Sequence, residues 1–144
     1  MPVLTDPMGW FTVEVPEGWG RSTEDCVTTL HSPRGIGILY LSAARHARGR
    51  QTSFGGADFL TRFLETLGLA VDEAEVVLSP GLGCRIYTYE RVTESAHWTF
   101  WSVTDDETAL LMSYACGLAD RGRETEEVEE IVRSARLYHS APVH

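Results

Sequence analysis

The sequence contains no lysine, and all twelve of its basic residues are arginine. That absence removes two chemistries at once. A Walker phosphate loop needs its lysine, and Schiff-base catalysis needs an amine side chain. The arginines face 21 acidic residues for a formal net charge of -9, which disfavours generic attraction to nucleic acid or anionic lipid. Neither nucleic acid nor membrane is therefore expected as a partner. Long apolar runs are missing too: the longest, around Gly35 to Leu41, falls far short of the roughly 20 residues that cross a bilayer. Met1 to Pro7 carries no basic stretch and no apolar run of signal-peptide length, so export is not expected and a cytoplasmic location is. Cysteine is scarce. Cys26, Cys84 and Cys116 are odd in number, widely spaced and set within strand-like apolar patterns, so they are expected as reduced thiols with at least two of them buried.

Familiar chemical motifs are also wanting. Gly35-Ile36-Gly37 and Gly81-Leu82-Gly83 lack the third glycine and the strand-to-helix setting of a phosphate loop, and both read as turns. There is no paired-cysteine spacing, no H-E-x-x-H and no histidine pair at helical spacing, so neither a metal nor another cofactor is expected. One of the cysteines can still meet His31 or His97 in space, although nothing local suggests an electropositive pocket that would lower a thiol pKa.

What is present describes one ordinary globular domain. At 144 residues, 43% hydrophobic and 23% charged, the chain can bury about 68 to 70% of its unfolded surface around a single core. The expected domain spans 5–138, with 139–144 as a flexible tail. Trp10 to Val15 alternates with strand period and ends at Pro16-Glu17-Gly18-Trp19. Asp25 to His31 and Gly37 to Ser42 read as a hairpin across Ser32-Pro33-Arg34-Gly35. Leu60, Phe63, Leu64 and Leu67 share one face of a helix over Ala57 to Leu67, with Gly68 suited to its C′ position. After a short strand candidate at Ala74 to Leu78, three long β-branched and aromatic runs form a meander: Gly83 to Thr93, Ala96 to Thr104 and Thr108 to Cys116. A second amphipathic helix is expected over Thr125 to Leu137, carrying Val128, Ile131, Val132 and Ala135 on one face. Strands thus group rather than alternate with helices. The fold class is α+β: a mainly antiparallel six- or seven-stranded sheet flanked by two helices.

This layout, opened by Trp10-Phe11-Thr12-Val13-Glu14-Val15-Pro16-Glu17-Gly18-Trp19 and closed by the amphipathic helix, resembles the fold family shared by the photosystem subunit PsbP and the Ran-binding Mog protein. The resemblance implies an α/β/α sandwich used as a non-catalytic binding module, with partners that differ from member to member. It carries over no functional residue. Some bacterial relatives look like secretion-accessory or immunity proteins, and the resemblance implies a role of that type as one option for this chain.

Two regions stand out as candidate binding sites. The stretch 43–56 gathers Arg45, His46, Arg48 and Arg50 just before a helix start in a strongly acidic chain. Helix-terminal N–H groups and bidentate arginines there suit a phosphate or carboxylate; the plainer reading is a solvated connection. In the meander, two-residue turns would place Cys84, Ile86, Thr88, Trp101, Val103, Leu110 and Met112 on one face. The other face takes Tyr87, Tyr89, Trp98, Phe100 and Leu111, mixed with Arg85, Arg91 and Ser102. Either each helix covers one face, or part of the Tyr87, Tyr89, Trp98, Phe100 face stays open as a partner surface. The acidic run Glu124 to Glu130 reads as the solvated face of the second helix, with Glu129 placed to pair with Arg133. The function expected is a non-catalytic binding or protein-interaction module. Its partner is an unknown protein or, alternatively, a small anion held by the Arg45–Arg50 loop.

Overall fold

The computed structural model describes residues 2–45, 57–105 and 107–138. In chain order the elements are β1 (Val3–Thr5), β2 (Phe11–Glu14), β3 (Gly20–Glu24), β4 (Val27–His31), β5 (Gly37–Arg45), α1 (Ala57–Thr66), β6 (Val77–Pro80), β7 (Arg85–Val92), β8 (Ala96–Thr104), β9 (Thr108–Gly117), α2 (Thr125–Arg133) and β10 (Arg136–Leu137). Seven strands form one antiparallel sheet in the order β3-β4-β5-β9-β8-β7-β6, and β1-β2-β10 form a separate small sheet.

The meander sets the register of the large sheet. Thr93 N–H donates to Ala96 O at 2.9 Å and Asp105 N–H to Thr108 O at 3.1 Å, so both connections are two-residue loops. The Asp105 carboxylate tightens the second by accepting from the Glu107 and Thr108 amides. Cross-strand neighbours then run Ile86, Val103, Leu110 in one row and Tyr89, Phe100, Ser113 in another. Because side chains alternate with period two, the faces divide as the sequence pattern requires.

Each face has its own cover. On the first, Ile86, Trp101, Val103, Leu110 and Met112 join Phe11 and Val13 of the small sheet and Val128, Ile131 and Val132 of α2 in the main core. On the second, Leu60 and Leu64 of α1, both fully buried, pack on Tyr87, Tyr89 and Phe100. The result is a three-layer sandwich in which α1 forms one outer layer and α2 with the small sheet forms the other.

The short strand expected at Ala74 to Leu78 falls at Val77–Pro80, after a 3-10 turn over Glu73–Glu75 capped by the Asp72 side chain, and local expectations fail in four further places, each for a physical reason. The strand at Trp10 to Val15 forms, but as β2 of the small sheet. Its expected place in the large sheet is taken by β3, whose Gly-Arg-Ser-Thr-Glu sequence is polar on both faces because an edge strand is mostly solvated. Second, Asp25 and Cys26 adopt φ of 50° and 66° in the β3–β4 turn, the left-handed conformation such hairpins demand. Cys26 is therefore an exposed turn residue. Cys84 is half-buried and only Cys116 is buried, so the expectation of two buried cysteines does not hold; all three are unpaired. Third, α2 stops at Arg133, and Ser134 Oγ donates to Ile131 O while accepting from Glu14 N–H. That bond turns the chain into β10, where Arg136 and Leu137 pair with Thr12 and Phe11. Fourth, α1 ends at Thr66, so Leu67 lies past the helix and is 53% exposed, while Phe63 is half-buried.

Candidate functional site

Two clefts flank β8, one on each face of the large sheet. The first lies between the meander and the start of α2, encloses about 260 Å³ and is the more polar of the two. His97 Nε2 sits 2.8 Å from Glu90 Oε1, and Arg121 Nη2 donates to the same oxygen at 3.1 Å. Deeper in, the fully buried Glu124 side chain accepts from Tyr114 OH at 2.5 Å and from Gly37 N–H at 3.1 Å. Arg34 Nε lies 3.6 Å from the second Glu124 oxygen, and its guanidinium also pairs with Glu127. Glycine is required at 37, since a Cβ there would meet the Tyr114 ring at 2.4 Å and Ala115 O at 2.7 Å. Burial and the Glu124 carboxylate push the Tyr114 phenol well above its usual 10.0, so it remains a donor.

This arrangement corrects the reading of the acidic run as one solvated face. Glu129 does pair with Arg133, at 3.2 Å, but Glu124 is a buried clamp joining the β4–β5 connection and β9 to α2. Glu127 is likewise engaged, accepting from Trp19 Nε1 at 2.9 Å. The sequence offers no signal for this, because the three donors come from distant segments.

The register also sets His97 directly opposite Cys116 on the same face, the one cysteine and histidine that are cross-strand partners among the described residues. Activation does not accompany the proximity. Burial pushes the Cys116 thiol up from its usual 9.0, only partly offset by its hydrogen bond with Tyr114. His97 is meanwhile tied to Glu90. A nucleophilic cysteine needs the opposite shift. Cys84 is raised in the same way, chiefly by burial.

The second cleft opens on the α1 side and encloses about 390 Å³. Its floor is Trp98 and Phe100, stacked with ring centroids 5.9 Å apart and planes 3° from parallel. Leu67 and Leu69, from the segment leaving α1, form one wall, and Arg91, directly across from Trp98 on β7, forms another. Beyond Trp98 the floor continues over Ala115 to Ile38 and Tyr40 of β5, which are 40% and 41% exposed.

The predicted binding residues are thus split. Tyr87 and Tyr89, at 8% and 6% exposure, lie beneath α1 and cannot form an open partner surface. Phe100 is buried but floors the cleft, and Trp98 stands half-exposed at its centre. Arg45 ends β5 opposite Thr108, at the far end of that strand from Ile38 and Trp98; the structure does not bring it to the aromatics. His46, Arg48 and Arg50 lie outside the described residues. Among the described residues no group of histidine, cysteine and acidic side chains is placed to hold a metal, and no helix is long and apolar enough to cross a membrane.

The seven-stranded antiparallel sheet between these layers is the PsbP-like α+β fold. The cyanobacterial PsbP protein CyanoP of Synechocystis sp. PCC 6803 superposes with a TM-score of 0.67 at 14% identity, over 95% of this chain and 92% of its own. A Bacteroides thetaiotaomicron VPI-5482 protein superposes with a TM-score of 0.70 at 14% identity over 96% of this chain, which spans only 48% of that longer protein. At such identity the likeness is one of fold. No protein-family model and no curated protein matches the sequence.

Proposed function

We propose that this domain is a non-catalytic binding module whose ligand occupies the Trp98 cleft. The observation that carries the reading is the contrast between the two clefts. In the polar one, every described carboxylate, imidazole and guanidinium is hydrogen-bonded or paired within the chain itself. Such a network is a structural clamp, in which the one oxygen without a hydrogen bond, Glu124 Oε2, still lies 3.6 Å from Arg34 Nε. The Trp98 cleft has the opposite character: a concave apolar floor, a half-exposed indole and few convergent polar groups, at a volume within the roughly 300 to 1,000 Å³ of small-molecule sites.

A neutral aromatic probe tests this reading. Naphthamide titrated into the protein should shift the Trp98 indole resonance in heteronuclear NMR spectra and leave Trp101, on the opposite face, in place. No shift of Trp98 at probe saturation would contradict it. The open strip from Trp98 to Ile38 and Tyr40 supports a second reading, in which a protein segment docks there through its own aromatic anchors. In that case naphthamide would compete with the segment for Trp98.

A further inference from the structure

We infer that the Trp98 cleft selects an aromatic carboxylic acid, with Arg91 holding the carboxylate. This rests on the cleft being a binding site and names the chemistry that fills it. Arginine is seldom buried without a partner, because a guanidinium taken from water and left unpaired costs free energy. Among arginines with described side chains, only Arg85 and Arg91 are half-buried. Arg85 is engaged in an interaction. Arg91 makes no hydrogen bond or ion pair with any described residue, and its neighbours in the cleft are Leu67, Leu69 and the Trp98 ring. Elsewhere Arg34, Arg121, Arg123 and Arg133 all pair with carboxylates of the chain itself. In a protein of net charge -9, a free guanidinium in an apolar cleft is an unfilled anion position.

The second polar group fits the same ligand. Ser113 is half-buried on the opposite wall, across from Phe100 on β9, and its hydroxyl has no partner among the described residues. Thr93, by contrast, is occupied in its turn with Ala96. Arg91 and Ser113 stand on the two strands flanking β8, so roughly 10 Å separates their strands. A flat body of one or two fused rings bridges that span over the Trp98 and Phe100 stack. A carboxylate suits a single guanidinium because the two form paired parallel hydrogen bonds. A phosphate dianion would need more donors than this cleft supplies.

The test compares naphthoate with the isosteric, uncharged naphthamide by calorimetry, on the wild-type protein and on Arg91→Gln. Naphthoate should bind the wild type at least about tenfold more tightly, and Arg91→Gln should abolish that preference while naphthamide affinity stays the same. Raising the salt concentration should narrow the gap. Equal affinity for the two probes in the wild type would overturn the carboxylate assignment and leave the binding site standing. A naphthoate preference that survives in Arg91→Gln would overturn the role of Arg91. If neither probe binds, the site itself is refuted. An unchanged amide spectrum and thermal midpoint for Arg91→Gln establish that the variant is folded.

Discussion

Replacing Glu124 by alanine should remove a large part of the domain's stability, and the magnitude follows from what the carboxylate holds. Its side chain is fully buried, and it accepts from Tyr114 OH and Gly37 N–H. Hydrogen bonds to a charged group are worth about 1.5 to 3 kcal/mol each. Truncation also strands both donors in a tight space, since even a Cβ at position 37 would meet the Tyr114 ring. Arg34 is 42% exposed and retains Glu127, so its lost pairing adds little. The total comes to about 3 to 5 kcal/mol, the range for removing one partner of a buried pair. Domains have only about 5 to 15 kcal/mol in all. Glu124→Gln separates charge from acceptor: the amide oxygen can keep both bonds as neutral ones, while its NH2 replaces the oxygen facing Arg34, so the cost should fall below that of the alanine, at about 1 to 3 kcal/mol. Chemical denaturation of both variants measures the difference. A loss below about 1 kcal/mol for Glu124→Ala would mean that water reaches the carboxylate and that it clamps nothing.

Leu64→Ala should cost about 2 to 5 kcal/mol because Leu64 is fully buried against Tyr87, Tyr89 and Phe100. Phe63→Ala should cost less, since that ring is only half-buried; the reverse ranking in denaturation curves would misplace the face of α1. The raised Tyr114 phenol makes stability depend on alkaline pH. Below about pH 10 the phenol is protonated in both folded and unfolded chains, and its contribution is complete. Above that the unfolded chain ionises first, binds fewer protons, and stability falls. With no lysine titrating there, the stability gap between wild type and Tyr114→Phe should shrink as pH rises past about 10, and a constant gap would deny the shift. Thiol labelling should proceed from exposed Cys26 to half-buried Cys84, with buried Cys116 last; rapid labelling of Cys116 in the native protein would contradict its burial.

The large sheet was legible because β7, β8 and β9 are long and aromatic, and their two-residue loops leave one choice of parity. The same alternation separated Trp101 from Trp98 before any contact was known. Short or solvated strands carried no such signal. β1 and β10 are three and two residues long, and β3 has no apolar face to read. The helical pattern of α2 runs on through Ala135, but the Ser134 bond to Glu14 turns the chain, and that bond depends on a strand more than a hundred residues earlier. Sequence patterning put Trp98 and Phe100 on the face that holds the cleft, yet could not bury Tyr87 and Tyr89, because which aromatics a ten-residue helix covers depends on where it lands. Glu124 and Arg91 were misjudged or passed over for a shared reason. Whether a charged side chain has a partner is decided by tertiary neighbours, so one acid in a solvated-looking run became a buried carboxylate that accepts from Tyr114 and Gly37. One arginine beside a tryptophan was left half-buried without a partner among the described residues.

The most direct measurement is a chemical-shift map of the naphthoate complex. The binding account predicts that the largest changes fall on the Trp98 indole, the Arg91 side chain and the Ser113 amide, and that Trp98→Ala weakens binding while remaining folded. Changes centred instead on His97, Tyr114 and Trp101 would place the ligand in the polar cleft and contradict it.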